Sequence, residues 1–188
     1  MYLGLLFGSI FVTNIIFAQF LGVCPYIGVS KKVSTAFGMG GAVTFVMVLA
    51  STVTFLLYHL LLVPYKIEYL ITIIFILVIA FLVQLVEIIM KKLTPPLYKA
   101  LGIYLPLITT NCAILGVALL NIKNDLSFLQ MLFYSLGNAL GFTLALIIFA
   151  SIRERLEFSK IPPSLQGVPI AFIIAGLLSM SFMGFTGF

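Results

Sequence analysis

Residues 21–29 read Leu21-Gly22-Val23-Cys24-Pro25-Tyr26-Ile27-Gly28-Val29, and residues 109–117 read Thr109-Thr110-Asn111-Cys112-Ala113-Ile114-Leu115-Gly116-Val117. Both stretches contain Cys-x-x-x-Gly-Val, one in each half of a 188-residue chain, and together they hold its only two cysteines. Two thiols at matching places in two halves are able to face each other across a pseudo-symmetry axis inside a membrane. The pair therefore indicates soft, thiolate-based metal chemistry.

The composition identifies lipid as the solvent of this chain. It is 63% hydrophobic and 8% charged, with a mean hydropathy of +1.29, and a soluble domain of this size has too little polar surface to cover it. Six segments approach the roughly 20 apolar residues that a spanning helix needs, at about 3–20, 37–62, 69–90, 102–120, 128–152 and 168–185. We expect a single polytopic membrane domain over residues 1–188, without a separate nucleotide- or flavin-binding domain.

The basic residues follow the odd-numbered segments. Only Lys66 and Lys123 lie elsewhere among the 10 lysines and arginines. By the positive-inside rule, the loops after segments one, three and five are cytoplasmic and both termini are external. The net charge of +5 reflects this topology. No basic stripe with interleaved aromatic residues is present, so nucleic acid is not an expected partner.

Three segments in each half require the two halves to enter the membrane in opposite orientations. This is the inverted-repeat plan, in which binding sites form near the midplane where the repeats meet. We expect an all-α integral membrane protein whose six transmembrane helices form two inverted three-helix repeats. Repeat 1 covers about residues 1–92 and repeat 2 about 99–188.

Helix-breaking residues accompany both cysteines. Pro25 removes a backbone donor and disfavours helical conformation at Cys24. In the second half, Pro106 precedes the polar run Thr109-Thr110-Asn111, whose side chains are able to satisfy freed backbone groups. Half-helices direct their N-terminal N–H groups at whatever occupies the gap, which favours an anion, and an iron–sulfur cluster held by four thiolates is such an anion. The sequence predicts broken helices at both motifs.

Several other residues are candidates for supporting the cysteines or lining an ion path: Asn14, Gly28, Glu87, Thr110, Asn111 and Gly116. A mid-segment amide such as Asn14 needs a partner in lipid, and an interhelical hydrogen bond is the simpler explanation. Glu87 is either an interfacial carboxylate with Lys91 as its i,i+4 partner or a cation-attracting group at a pathway mouth. A single histidine at the end of a segment, His59, indicates an interfacial residue rather than a metal ligand.

Two further features have open interpretations. The GxxxG formed by Gly137 and Gly141 permits close helix approach, either inside the protein or at a subunit interface. The charged segment Arg153-Glu154-Arg155 with Glu157 serves as an ordinary membrane anchor or as a docking patch for a soluble partner.

At five segments the sequence resembles a known family, the A-type subunits of the bacterial Rnf complex and their relatives in the sodium-translocating NADH:quinone oxidoreductase. These segments are Phe20-Leu21-Gly22-Val23-Cys24-Pro25, Gly28-Val29-Ser30-Lys31-Lys32, Leu105-Pro106-Leu107-Ile108-Thr109-Thr110-Asn111-Cys112-Ala113, Ile152-Arg153-Glu154-Arg155 and Phe182-Met183-Gly184-Phe185. Cys-Pro after Leu-Gly-Val, and Ala-Ile-Leu-Gly-Val-Ala-Leu-Leu-Asn after Cys112, are more similar to the Rnf type. The resemblance runs from the first segment to the last.

The resemblance implies a multi-pass subunit of a bacterial cytoplasmic (inner) membrane. It pairs with a homologous six-helix subunit, the Rnf E type, of inverted topology. Each subunit contributes two cysteines, here Cys24 and Cys112, to one intramembrane [2Fe–2S] cluster. Other partners implied are the flavin and iron–sulfur subunits of the complex, with ferredoxin and NAD as indirect partners and Na⁺ or H⁺ as the transported ion. Neither the electron transfer nor the ion movement that the resemblance implies follows from composition or spacing.

One argument from the residues agrees with that expectation. An iron–sulfur cluster commonly takes four cysteines and this chain has two, so a cluster requires a second polypeptide or a second copy. The main interpretation is a subunit of an electron-transferring, ion-translocating complex without a complete active site of its own. The alternatives are a subunit of the quinone-reductase relative, a small inverted-repeat secondary transporter with the cysteines as packing residues, and a membrane anchor for soluble redox subunits.

Overall fold

The computed structural model describes residues 2–30, 32–65, 68–93, 105–159, 162 and 165–186. In these ranges the chain forms helices and turns and no strand. The helices are α1 Tyr2–Phe7, α2 Val23–Val29, α3 Val33–Leu57, α4 Ile71–Leu93, α5 Leu105–Thr109, α6 Cys112–Lys123, α7 Phe128–Glu157 and α8 Val168–Thr186. π-Helical turns extend α1 over Gly8–Val12 and α3 over Tyr58–Leu62; a helical turn Val63–Tyr65 and a 3-10 turn Glu68–Leu70 lie before α4.

Three of the described helices are long and apolar enough to cross a membrane by themselves. They comprise Val33–Leu62, Ile71–Ile89 and Phe128–Glu157, and shorter apolar helices run over Leu107–Lys123 and Val168–Gly184. The predicted segments at about 37–62, 69–90, 128–152 and 168–185 therefore correspond to helices. The count of six spans and their repeat organisation stay predictions. Residues 102–104 of the fourth predicted segment lie outside the described residues.

The first predicted segment, about 3–20, is wrong as a continuous helix. The helix ends at Val12, and turns follow until α2 begins. Asn14 Nδ2 donates to the carbonyl of Ile10 at 3.0 Å, and its Oδ1 accepts from the N–H of Ile16 at 3.1 Å. An amide that binds its neighbouring backbone competes with helical hydrogen bonding. The break therefore comes earlier than the hydropathy of this segment predicts.

The centre of the molecule is an antiparallel pair of long helices, α3 and α7. Thr44 and Thr143 have their hydroxyl oxygens 3.4 Å apart, and Phe55 lies against Phe128 with ring centroids 5.8 Å apart. A Cβ on Gly40 would overlap the side chain of Thr143, so this glycine permits the close approach. Fully buried side chains from the two helices fill the interface, among them Met39, Val43, Met47, Ala50, Ala139, Phe142, Leu146 and Phe149.

Hydroxyl side chains inside the helices bond to their own helix. Six of them donate to the carbonyl four residues earlier, at 2.7–2.9 Å: Thr44, Thr52, Thr54, Thr143, Ser151 and Ser181. This pattern satisfies a hydroxyl without any partner from another helix.

Large apolar side chains cover the outer faces of α4 and α8. On α4, Ile73, Leu77 and Phe81 are more than 60% exposed, and on α8 Met180 and Met183 are similarly open. Contact between such continuous apolar faces and water is unfavourable, whereas contact with lipid or with another apolar protein surface is favourable. The faces thus agree with the membrane environment that the composition predicts.

Candidate functional site

Cys24 lies in the first turn of α2, directly after a left-handed turn. Gly22 precedes this helix with φ 79° and ψ 21°, and its carbonyl accepts the first helical bond from the N–H of Tyr26 at 3.2 Å. Cys24 is helical although Pro25 disfavours that conformation for the residue before it. A proline in the first turn lacks only an N–H that has no helical partner. The Cys24 side chain is exposed and its thiol is free.

Cys112 is the first residue of α6, and Asn111 caps this helix. Asn111 has an extended backbone, with φ −71° and ψ 108°, and its Oδ1 accepts from the N–H of Ala113 at 3.1 Å. The predicted break in the second half is thus the turn at Thr110 and Asn111 between α5 and α6. Cys112 is half-buried and its thiol is also free.

A hydrogen bond from the first motif to the second joins the two cysteine helices. The N–H of Gly22 donates to Sγ of Cys112 at 2.9 Å. A Cβ on Gly22 would lie 2.7 Å from Cε2 of Phe142 and 3.0 Å from Cβ of Ala113. The sequence marks Gly22 as a flexible neighbour of Cys24 but not as a donor to the other cysteine. The Leu-Gly-Val-Cys spacing is the signal for it, since the N–H of a glycine at the start of a helix has no partner within that helix.

The matching glycines of the two motifs, Gly28 and Gly116, have different surroundings. A Cβ on Gly116 would overlap the side chain of Leu21, so this glycine allows the first motif to pack against α6. Gly28 is exposed, and a Cβ there would meet nothing within 4 Å. Gly116 therefore supports the contact between the motifs, whereas Gly28 leaves the surface of α2 open.

Asn14 makes the interhelical hydrogen bond that the sequence favours. Its Nδ2 donates to the carbonyl of Gly141 at 3.0 Å as well as to its own helix. A Cβ on Gly141 would crowd Nδ2 of Asn14 at 3.1 Å, and one on Gly137 would overlap Oγ of Ser9. The GxxxG of α7 therefore packs against the first helical segment inside the chain.

The structure also locates the two remaining candidates, Glu87 and Thr110, and the histidine, His59. Glu87 is half-buried in the last part of α4, and Thr110 is exposed at the turn before α6. The exposed ring of His59 lies 4.5 Å from that of Phe55. An interfacial position for His59 fits this contact, and the roles of Glu87 and Thr110 in an ion path stay predictions.

Arg153 holds the far end of α2, which the sequence did not predict. Its Nη1 donates to the carbonyl of Ile27 at 2.7 Å and to Oγ of Ser30 at 2.8 Å. At the near end, the ring of Tyr26 stacks on Phe149 with centroids 4.2 Å apart. Two contacts to α7 therefore fix the short helix that presents Cys24.

The two thiols are the protein groups that fit a metal centre. Within the described ranges no three His, Cys, Asp or Glu side chains come together as a possible metal site. Two soft sulfur ligands are half of what an iron–sulfur cluster commonly takes. The Gly22 N–H at the Cys112 sulfur is the kind of donor that stabilises a metal-bound thiolate. The residues thus fit one half of a shared cluster.

The fold and the site define a class: a helical membrane protein whose helices are interrupted at two paired cysteines. Comparison with known proteins gives the family. The model of the family described as "Rnf-Nqr subunit, membrane protein" matches residues 2–188. The chain therefore belongs to this family.

Three relatives illustrate the similarity. The A subunit of the Na(+)-translocating ferredoxin:NAD(+) oxidoreductase complex of Acetobacterium woodii is 57% identical, over 97% of this chain and 95% of that protein. The A subunit of the ion-translocating oxidoreductase complex of Azoarcus sp. strain BH72 is 55% identical over 99% of this chain and 96% of that protein. Its counterpart of the same name in Vibrio cholerae is 54% identical over 99% and 96%.

Proposed function

We propose that this protein is the A-type membrane subunit of an Rnf complex, an ion-translocating ferredoxin:NAD oxidoreductase of a bacterial inner membrane. The Acetobacterium woodii relative is named as the A subunit of a Na(+)-translocating ferredoxin:NAD(+) oxidoreductase complex, the Azoarcus relative as the A subunit of an ion-translocating oxidoreductase complex, and the similarity covers both chains almost from end to end. The flavin and iron–sulfur subunits of such a complex are its further partners, and ferredoxin and NAD act through them. The role of the chain is electron transfer within the membrane, coupled to the movement of Na⁺ or H⁺.

In this proposal Cys24 and Cys112 ligate one [2Fe–2S] cluster together with two cysteines of a homologous E-type membrane subunit. The main support for this ligand assignment is the hydrogen bond from Gly22 to the Cys112 sulfur. Gly22 lies two residues before Cys24 in the sequence, so this bond places the Cys112 sulfur beside the first cysteine motif. Both thiols are free, and the exposed Cys24 is open to a partner. The remaining two thiolates must come from outside this chain.

When bound, the cluster would supply reversible one-electron chemistry. The residues of the chain hold and tune the ligands. The N–H of Gly22 stabilises negative charge on the Cys112 sulfur, and Nδ2 of Asn111 is buried without an acceptor in the described part of the chain. This amide is therefore available to donate to a second sulfur beside Cys112. Tyr26, packed on Phe149, and the Arg153 contacts fix α2, so that Cys24 stands on a rigid element.

The proposed topology has six spans in two inverted repeats, about 1–92 and 99–188, with both termini external. Two features of the fold support it. Each cysteine helix, α2 or α6, follows an interruption of the backbone and precedes a long helix, α3 or α7. The long helices run antiparallel, as equivalent elements of inverted repeats must.

The test is to replace each cysteine by Ala in the complex, produced together with its partner subunits under anaerobic conditions. Cys24→Ala and Cys112→Ala should each abolish the [2Fe–2S] signal in electron paramagnetic resonance and remove about two irons per complex. Val23→Ala, next to Cys24, is the matched control and should retain both. The chain produced alone should hold no stoichiometric iron.

Iron content and spectrum must be compared in complexes that contain equal amounts of this subunit. Unchanged iron and an unchanged spectrum in the double Ala variant would refute the ligand assignment. A wild-type complex that transports the ion but lacks the [2Fe–2S] signal assigned to Cys24 and Cys112 would favour the secondary-transporter alternative.

A further inference from the structure

A group of buried polar side chains lies between α3, α6 and α7, away from the cysteines. We call Ser51, Asn121, Ser135 and Asn138 the amide cluster; each is at most 2% exposed. Along α6, Cys112 and Asn121 are separated by about 13 Å at 1.5 Å per residue. The amide cluster is therefore distinct from the contact between the two cysteine motifs.

In the amide cluster the two amide nitrogens donate hydrogen bonds, whereas both amide oxygens and one hydroxyl oxygen lack a hydrogen-bond partner in the described residues. Nδ2 of Asn121 donates to Oγ of Ser135 at 3.0 Å, and Nδ2 of Asn138 donates to the carbonyl of Tyr134 at 2.9 Å. Oδ1 of Asn121, Oδ1 of Asn138 and Oγ of Ser51 are buried without a hydrogen-bond partner in the described residues. Three orphaned oxygens in one region are unusual, since buried polar atoms are nearly always satisfied.

The helix register places these residues in one part of the interface between the three helices. The bond between Asn121 and Ser135 joins α6 to α7, and Asn138 follows Ser135 by about one turn on the same face. On α3, the contacts of Thr44 with Thr143 and of Phe55 with Phe128 bracket Ser51. In an antiparallel pair this places Ser51 within about one turn of Ser135.

The chemistry of the cluster suits an alkali cation. Its ligands are neutral, hard oxygens without a carboxylate among them, whereas protein sites for Ca²⁺ and Mg²⁺ rely on carboxylates. Neutral oxygens that replace a hydration shell are the usual means of binding monovalent cations within membranes. A proton is not a suitable ligand, because neither Asn nor Ser titrates near neutral pH.

A surface cavity gives the cluster a connection to solvent. A cavity of about 370 Å³ is lined by Asn121 and also by the exposed residues Asp125 and His59. Asp125 supplies a negative charge at the wall of this cavity, and acidic groups near membrane depth favour cation entry. The buried amide and the surface thus share one cavity.

We propose that the amide cluster binds Na⁺ through Oδ1 of Asn121, Oδ1 of Asn138 and Oγ of Ser51, with the cavity at Asp125 as its access. The inference deepens the proposed function, on which it rests, because it gives the translocated ion a position in this subunit. A single water molecule that accepts from the Ser51 hydroxyl and donates to both amide oxygens is the competing occupant, and the Na⁺ measurement distinguishes the two.

The test measures Na⁺ binding to the purified complex at constant ionic strength, with choline replacing Na⁺. Asn121→Leu and Asn138→Leu each remove one ligand and should weaken ²²Na⁺ binding tenfold or more. Each change also removes the donor of one buried hydrogen bond, to Ser135 or to the Tyr134 carbonyl, so the melting temperature of each variant is measured beside its Na⁺ affinity. The exposed residues Asn124→Ala and Ser34→Ala are matched controls and should bind as the wild type does.

Asn138→Asp provides a second variant that does not depend on loss of binding. A carboxylate in the cluster should strengthen Na⁺ binding and make the melting temperature of the subunit rise more steeply with NaCl than in the wild type. Unchanged ²²Na⁺ affinity in both Leu variants would mean that the amide cluster holds only water and would overturn the proposal.

The iron content of the same preparations keeps this proposal separate from the first one. The Leu variants should retain the full iron of the wild type, because the amide cluster lies about 13 Å along α6 from Cys112. If the cysteine variants retain iron while the Leu variants lose Na⁺, the shared [2Fe–2S] proposal fails and the cation site stands.

Discussion

Replacing Gly22 by Ala should destabilise the junction between the two cysteine helices. Its left-handed backbone, with φ 79°, costs a residue with a Cβ about 1–2 kcal/mol. The new Cβ would also lie 2.7 Å from Cε2 of Phe142 and 3.0 Å from Cβ of Ala113, and overpacking of this kind costs about 1–3 kcal/mol. The free energy of unfolding should therefore fall by about 2–5 kcal/mol.

For a chain of this size, such a loss corresponds to a decrease in melting temperature of about 4–20 °C. We would measure it on the detergent-solubilised complex as the temperature at which this subunit precipitates, with iron content measured in parallel. Relief of the Cβ contact moves the Gly22 N–H away from the Cys112 sulfur, so iron should be lost at a lower temperature than in the wild type.

Gly28→Ala is the matched control, because it makes the same chemical change a few residues further along. Gly28 is exposed, and its Cβ would meet nothing within 4 Å. Ala in a helix is favoured over Gly by about 0.5–1 kcal/mol, so this variant should melt at the wild-type temperature or slightly above it. If Gly22→Ala had the same melting temperature as Gly28→Ala and kept its iron, the left-handed turn at Gly22 would not be the feature that positions its N–H at Cys112.

Two further predictions concern the cap of α6 and the topology. Asn111→Ser retains an N-cap side chain but loses the buried amide donor, so stability should be kept, while a redox titration should find the cluster potential lower by about 40 mV for a lost hydrogen bond of about 1 kcal/mol. Asn111→Ala should lose the cap as well and about 1 kcal/mol of stability; an unchanged potential in both variants would exclude donation by the amide. Reporter fusions after Lys32 and Lys92 should be cytoplasmic and a fusion after Lys123 external. A cytoplasmic C-terminus would contradict the inverted-repeat topology.

Features that depend on local composition were predictable from the sequence. Apolar length alone locates α3, α4, α7 and α8, because a helix in lipid satisfies its own backbone. The turn before Cys112 was also predictable, since Asn111 is a favoured N-cap residue and follows Pro106 and two threonines. The identity of the two thiols as the candidate ligands needed no more than their equivalent positions in the two halves.

Features that depend on contacts between distant residues were not predictable in this way. The first helix ends at Val12 because Asn14 binds both its own backbone and the carbonyl of Gly141, which no local pattern reveals. The donor role of Gly22 requires knowledge that Cys112 lies beside it in space. Likewise, the amide cluster is formed by residues of three helices, each of which is an ordinary polar residue in its own segment.

The hydroxyl groups that bond to their own helices bear on how the chain enters the membrane. Thr44, Thr52 and Thr54 of α3 each donate to the carbonyl one turn earlier, so their polarity is satisfied as soon as the helix forms. These three hydroxyls therefore need no partner from another helix when α3 enters lipid. Asn14, by contrast, completes its bonding only when α7 arrives. The threonines thus add no demand for a particular neighbour during insertion, whereas Asn14 ties the first segment to α7.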